Sequence, residues 1–352
     1  MPASPEAESP RTKTPLWRAA LSLALRLAGW ACVLALAGLA CAWTSGFDRG
    51  WTIKWVYAFL AYVFVPVYLV LGWAVISRQR WLAVAAACVV AWHVAVVGQE
   101  ALPLPVPGHG PSAEAPSRQP IRVFYANVSV KNEEKEALFD EIRATAPDVV
   151  VLTEMSAGWH NGFNEGGLAV EYPHHIHLER YNPSATGVFS RYPIIEEQRF
   201  YKDRRVVVEA VIDADGAPLA VLAIHAPRPI DSPLHNFDGF WSLVGELLDA
   251  HDSRPDRSPL MLIGDFNATP FSLVYRELVG NWGLRDCHRL CGRGRATTWP
   301  NGHRLLPPIR IDHALVSGEV RCVAAAEGIG RGSDHKPLIL DLSLPRRPGA
   351  PE

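Results

Sequence analysis

Hydrophobic and polar positions follow three rhythms along this chain. Up to Gly98 the apolar residues come in unbroken runs, Leu27–Thr44, Trp55–Ser77 and Trp81–Gly98, with no Asp, Glu, Lys or Arg inside them. A helical bilayer crossing needs about 20 apolar residues, range ~17–25. A surface helix of a soluble domain would keep a polar face, and none of these runs has one. Two further runs after the first also exclude a cleaved signal peptide. Three transmembrane helices are therefore predicted within residues 1–100. Trp43, Trp55, Trp73 and Trp81 stand near the run ends, where amphipathic rings favour the membrane interface. Pro66 is tolerable in a membrane helix, and His93 is read as packed against a neighbouring helix. Arg11, Lys13, Arg18 and Arg26 precede the first run and Arg78 and Arg80 follow the second, against Arg49 and Lys54 in the first loop. That bias predicts a multi-pass protein of the cell (inner) membrane with everything after Gly98 on the extracytoplasmic side.

The second rhythm is brief. Residues 101–120 hold six prolines with Gly, Ser and Ala, the composition of a semi-extended linker. From Ile121 to about residue 345 short apolar strands alternate with amphipathic helices, and residues 346–352 read as a tail. Strands are predicted at Ile121–Val128, Val149–Thr153, Thr186–Ser190, Arg205–Ile212, Leu219–His225, Leu260–Gly264, Arg310–Ser317, Arg321–Glu327 and Pro337–Leu344. Asn132 is read as capping a helix that carries Leu138, Ile142 and Ala146 on one face. Further helices are predicted at Asp231–Ala250, capped by Asp231 or Ser232, and at Phe271–Val279. Such a mixture predicts packed sheets flanked by helices.

Charge changes this picture in one respect. Eight of the 34 basic and three of the 36 acidic residues lie before residue 99, leaving the remainder with a formal charge of −7. An acidic domain lacks the basic footprint of tight, sequence-independent nucleic-acid binding. The six cysteines are too few for a disulfide scaffold, although Cys287 and Cys291 are close enough in sequence to pair in an oxidising compartment.

Polar residues collect where the strands end. Asn127 closes the first, Glu154 follows Val149–Thr153, His225 ends Leu219–Ile224, and Asp265 and Asn267 follow Leu262–Gly264. Asp312 sits at the start of a strand and Asp334 and His335 just before another. A carboxylate or imidazole at the end of a buried strand is costly without a partner or a metal, so this many in one domain predict a site. The stretches YANVSV, PDVVVLTEM, TGVFSRYPI, LAIHAP, LIGDFNATP, RIDHALVS and GSDHKPLIL are similar, in order, to motifs of the DNase I-like endonuclease/exonuclease/phosphatase superfamily. Over residues 121–345 the chain resembles that superfamily, as a membrane-anchored, bacterial-type member. The resemblance implies a four-layer α/β sandwich, here preceded by the transmembrane helices.

It also implies a chemistry. Hydrolysis of a phosphate ester needs an activated water, a cation against developing charge, and donors for the phosphoryl oxygens. Glu154 is the best metal ligand, and a carboxylate with waters suits Mg²⁺, with Mn²⁺ or Ca²⁺ as alternatives. Asn127 and Asp334 match family positions near the same metal. Asp265 matches the residue that orients or deprotonates the attacking water. Asn267, two residues on, falls on the same side of an extended chain and can donate to the phosphate. His335 matches a phosphate-facing histidine whose acidic partner is matched by Asp312, and His225 matches a second histidine at the phosphate or leaving group. The chain departs from the family pattern at Thr153, where Gln is common, and at Ser129, where many members carry an acid that bears on metal number.

Other candidates are weaker. His174, His175 and His177 are read as rim or surface residues. Ser190–Arg191 lacks a nucleophile elbow, and Arg204, Arg205 and the run Arg285 to Arg295 are read as solvated basic faces. The expectation is a membrane-anchored, Mg²⁺-dependent phosphoesterase acting on a phosphodiester or phosphomonoester, with a lipid headgroup or small molecule favoured. An extracytoplasmic endo- or exonuclease is the runner-up, so nucleic acid is a less favoured partner. A non-catalytic tethered binding module is the alternative from another class. No protein partner is predicted beyond the lipid bilayer.

Overall fold

The computed structural model describes residues 16–101, 108–110, 118–176, 185–230 and 235–347. The chain forms two compact units, one of residues up to Phe47 plus Val63–Ala95, the other of Asp48–Tyr62 plus Val96 onward. The first holds α1 (Leu16–Thr44), all of α4 (Val65–Ile76), most of α5 (Arg80–Ala101) and the last residue of the short α3 (Leu60–Val63). Among the described residues two helices are long and apolar enough to cross a membrane, Leu16–Thr44 and Arg80–Glu100. The expected second span is not one straight helix. It divides into α2 (Trp51–Ala58) and the run Leu60–Ile76, which comprises α3 and α4 (Val65–Ile76), with a 77° bend between them. Counted as one broken span, the pair makes three. Lys54 and Tyr57 explain the break: both are buried in the second unit, where the Lys54 ammonium lies 2.8 Å from Asp48 and 3.2 Å from Asp238. Within the first unit His93 packs in parallel on Phe64, and its Nδ1 lies 2.8 Å from the Tyr68 hydroxyl.

In the second unit the elements after α5 (Arg80–Ala101) are β1 (Arg118–Asn127), α6 (Lys135–Thr145), β2 (Val149–Met155), α7 (Ala157–Glu165), α8 (Leu168–Glu171), β3 (His174–Ile176), β4 (Ala185–Ser190) and β5 (Ile194–Lys202). They continue with β6 (Arg205–Ala214), β7 (Ala217–His225), α9 (His235–Asp252), β8 (Leu260–Asp265), α10 (Leu273–Asn281), β9 (Arg285–Asp286), α11 (Cys287–Leu290), β10 (Asp312–Val316), β11 (Arg321–Glu327) and β12 (Leu338–Pro345). One sheet runs β11-β12-β1-β2-β4-β3 and the other β5-β6-β7-β8-β10-β9. Alternation along the strands accounts for their unbroken apolar runs. Val149 and Val151 face Val208, Val221 and Ile263 in the layer between the sheets. Val150 and Leu152 face Leu138, Phe139 and Trp159 on the outer helices. On the far side Leu222 and Leu262 meet Phe240, Val244 and Leu278. The result is four layers, helix, sheet, sheet, helix.

Register aligns the polar strand ends. β1 and β2 run parallel with Asn127 beside Thr153, and β7 and β8 run parallel with His225 beside Asp265. β10 lies antiparallel to β8 with Asp312 opposite Asp265.

Asn132 sits two residues before the true N-cap of α6, Glu134, and its side-chain oxygen takes the Glu134 N–H at 2.8 Å. Ala146 closes that helix in the left-handed region rather than lying on its face. Asp231, Ser232 and His177 fall outside the described residues. All six cysteines are free, so Cys287 and Cys291 do not pair.

Candidate active site

Six chain segments meet at one end of the two sheets. β1 runs out at Asn127, and the Asn127 side-chain oxygen takes the Ser129 N–H at 3.0 Å, turning the chain back. β2 carries a bulge between Thr153 and Met155 that holds Glu154 at φ 60°. A bulge re-aims the side chain it contains. Holding a non-glycine residue there costs on the order of 1 kcal/mol and persists only where neighbours fix it. Here the Glu154 carboxylate receives the Val130 N–H and the Asn127 Nδ2, each at 3.1 Å. The other Asn127 donor reaches Asp265 Oδ2, also at 3.1 Å. Asn127 thus clamps two carboxylates together across the sheets.

β8 delivers Asp265 by way of Gly264. Its φ is 155°, and a Cβ there would collide with the Ile224 carbonyl, so only glycine allows β8 this close to β7. Asp265 Oδ1 then takes the Asn267 N–H at 2.9 Å, and Asn267 Nδ2 donates to the Ala226 carbonyl at 2.9 Å. That leaves one Asn267 amide hydrogen without a role in the loop.

Asp312 is fully buried and fully engaged. Its Oδ2 lies 2.8 Å from His335 Nδ1, its Oδ1 takes the Tyr125 hydroxyl at 3.1 Å, and its N–H donates to Thr298 Oγ1 at 3.2 Å. His335 Nε2 points back to Asp265 Oδ2 at 3.8 Å. Ser333 Oγ fixes the loop by donating to the Asn127 carbonyl and accepting the His335 N–H. His225 Nε2 completes the ring, 3.6 Å from Glu154 and 3.7 Å from Asp265.

Protonation divides the two histidines. Burial opposes charge on His335, but the Asp312 and Asp265 carboxylates, helped by Asp334, override it and hold its pKa up to about 10. Burial pushes His225 well down from its ordinary value, and Arg205, His335 and Arg228 add to this. Burial raises Asp265 to about 7; His335 opposes that rise, while Asp312 and Glu154 support it. One histidine is thus a cation, the other neutral, with a readily titrated carboxyl between them. Such separation marks groups poised for acid–base work.

Arg205 is a correction to the sequence reading. Its Nη1 lies 2.9 and 3.0 Å from the two ring nitrogens of His225. An atom equidistant from both at that range must lie over the ring, because in the ring plane it would meet Cε1. The guanidinium therefore covers the His225 face instead of a solvated basic surface. Asp334, by contrast, is exposed at the site's edge, where its Oδ2 takes the Trp299 indole N–H at 3.2 Å. Tyr125 and Thr298 were not singled out in the sequence. A buried tyrosine two residues before Asn127 on the same strand face was the available signal, since its hydroxyl must find a partner. His174 and His175 lie on β3, paired with the Phe189–Ser190 end of β4, away from the ring just described.

Asp265, Asp312 and His335 present ligand atoms within 4.8 Å of one another and by spacing alone could hold a metal. His335 Nδ1 is engaged by Asp312, so an ion there would be left with the Nε2 lone pair of a neutral ring and the carboxylate oxygens. Glu154, one-quarter exposed, offers two hard carboxylate oxygens that also suit a divalent ion.

A family profile described as Endonuclease/Exonuclease/phosphatase family matches residues 124–335. No curated protein sequence matches the chain. Among solved structures, an endonuclease/exonuclease/phosphatase from Beutenbergia cavernae is similar at 22% identity and a TM-score of 0.51, covering 66% of this chain and 73% of that one. The D. rerio TDP2 complexed with a single-strand DNA product is similar at 18% identity and a TM-score of 0.52, covering 63% and 98%. The human Nocturnin catalytic domain with bound sulfate is similar at 20% identity and a TM-score of 0.52, covering 64% and 94%. These likenesses concern the fold.

Proposed function

Because the chain belongs to the endonuclease/exonuclease/phosphatase family, we propose that it is a membrane-anchored hydrolase of phosphate esters. Water attacks phosphorus in line with the leaving oxygen. The observation that carries the proposal is the ring Asp312–His335–Asp265–His225, in which one histidine is held charged and the other neutral. The Asp265 carboxylate takes the proton of the attacking water, a role suited to its pKa of about 7. The His335 imidazolium, oriented through Nδ1 by Asp312, presents Nε2–H to a phosphoryl oxygen. Neutral His225 and the remaining Asn267 amide hydrogen donate to the other oxygens.

We assign the divalent ion, Mg²⁺ in our reading, to Glu154, with Asn127 and Asp334 at the neighbouring family positions. When bound it would offset charge building on the phosphoryl group. The −7 formal charge of residues 99–352 favours a lipid headgroup or small ester over nucleic acid as substrate. The three-span, outward-facing topology is likewise our reading of the basic-residue bias. The test offers the detergent-purified full chain, with Mg²⁺, a panel of soluble phosphodiesters, phosphomonoesters, phospholipids and DNA. Turnover of the lipid or small esters above DNA is expected. DNA as the preferred substrate would favour the nuclease reading, and no turnover would favour a tethered binding module.

A further inference from the structure

Most of the large hydrophobic side chains that the sandwich exposes stand at its catalytic end. Of the eight large hydrophobic side chains exposed among the described residues from Arg118 onward, six stand on the loops and hairpin that surround the site. They are Val130, Tyr201, Ile230, Leu305, Leu306 and Ile329, with Leu305 90% and Ile329 62% exposed. Singly exposed apolar residues are ordinary; their concentration at one end is not. The same loops carry exposed Lys131, Arg228, Arg304 and Arg331, against Glu133, Glu134 and Asp334, on an otherwise acidic domain.

α2 belongs to this end. Lys54 lies 3.2 Å from Asp238 and its ammonium sits 5.0 Å from the Phe237 ring centre, both at the start of α9, the helix that follows His225. The Tyr62 hydroxyl donates to the Pro308 carbonyl at 2.6 Å, four residues before Asp312. Glu100, near the end of α5, pairs with Arg289 at 3.3 Å and with Arg310 at 3.6 Å. With Lys54 and Tyr57 turned inward, α2 presents Trp51 and Trp55 to solvent, 58% and 37% exposed. Indole rings on a short helix that runs on in sequence into an apolar one are the pattern of a helix lying in the membrane interface.

From this juxtaposition we infer that the catalytic rim and α2 form one membrane-docking face, seated on an anionic leaflet of the bilayer that anchors the chain. Apolar side chains ringed by cations fit that surface, because acidic headgroups attract the cations while the apolar tips enter the acyl boundary. A phosphate ester at headgroup depth then reaches Asp265 without leaving the membrane. This last point rests on the phosphoesterase reading above; the docking itself does not.

The test reconstitutes the full chain in nanodiscs of phosphatidylcholine with phosphatidylglycerol, or of phosphatidylcholine alone, and follows hydrogen exchange over residues 301–309 and 328–333. Exchange there is expected to slow about tenfold in the anionic discs, and the double variant Leu305→Asp/Ile329→Asp should abolish the difference. Equal exchange in both discs, or slowing untouched by the variant, overturns the proposal. So does protection that appears only with an added oligonucleotide. The same preparations are assayed on a soluble bis(p-nitrophenyl) phosphate, which the variant should hydrolyse at the wild-type rate while losing about tenfold on lipid in anionic discs. If neither protein hydrolyses the soluble ester, the phosphoesterase reading fails while exchange still decides the docking.

Discussion

Replacing Asp312 with Asn tests whether a buried carboxylate holds the catalytic histidine in its charged form. His335 is raised from 6.5 to about 10 against the opposing effect of burial. The protonated form is thus favoured over the neutral one at neutral pH. Asp312, bonded at 2.8 Å, is the largest favourable contributor. Asp312→Asn removes the charge and keeps the burial, so the variant imidazole should fall to or below 6.5. At pH 8 only about 3% would then be protonated, a loss of roughly thirtyfold before any loss of orientation. Positioned acid–base assistance is worth about 10²–10⁴-fold, so we expect Asp312→Asn and His335→Ala each to cost about a hundredfold or more. The double variant should be little worse than the poorer single, because groups acting as a unit are not additive. His225→Ala with Asp312→Asn should combine more nearly additively, since Asp312 is bonded to His335 and not to His225. The assay is kcat/KM against pH on whichever substrate the panel identifies. In Asp312→Asn the alkaline limb should also move from near pH 10 to below about pH 8. Full additivity of Asp312→Asn with His335→Ala, or an unmoved limb, would refute the pairing.

Three further outcomes are expected. A reporter fused after Pro120 should be active only outside the cytoplasm; activity confined to the cytoplasm would reverse the topology. Glu154→Gln should remove most activity and flatten the Mg²⁺ dependence of the melting temperature, and an unchanged Mg²⁺ titration would move the metal elsewhere. Without metal, stability should fall as pH rises. A raised His335 pKa gives stabilisation that is full below 6.5 and lost through about 10, and the raised Asp265 pKa acts in the same sense between 3.8 and about 7. Thermal unfolding in EDTA should therefore decline from about pH 7.5 to 10 in the wild type and stay flatter in His335→Ala.

Much of the domain was legible because local signals and tertiary demands agree. Val149–Thr153 reads as a buried strand and is one, and the polar residues closing such strands converge because parallel and antiparallel pairing aligns their ends. Where the two disagreed, reading failed. β5 carries the run Glu-Glu-Gln-Arg through its middle, which suits an exposed edge strand but erases the apolar pattern. α7 is rich in Gly and Asn, poor helix formers, and is held by burial of Trp159 and Phe163. The apolar run from Trp55 hid the α2 bend because Lys54, just outside it, finds its partners in Asp48 and in Asp238, far along the chain. Tyr125 carries no local signal that sets it apart, and Arg205 reads as part of a solvated basic face, because each finds its partner on another strand. Contacts between sheets are the part of a site that local pattern does not carry.

If this end of the sandwich hydrolyses phosphate esters with a metal at Glu154 and a base at Asp265, one assay shows it. The full chain in detergent is given bis(p-nitrophenyl) phosphate and Mg²⁺, alongside Asp265→Asn and Glu154→Gln. We predict wild-type turnover that EDTA abolishes and added Mg²⁺ restores, reduced about a hundredfold or more in each variant. Turnover that survives EDTA and is unchanged in both variants would mean that neither Glu154 nor Asp265 has the role given to it.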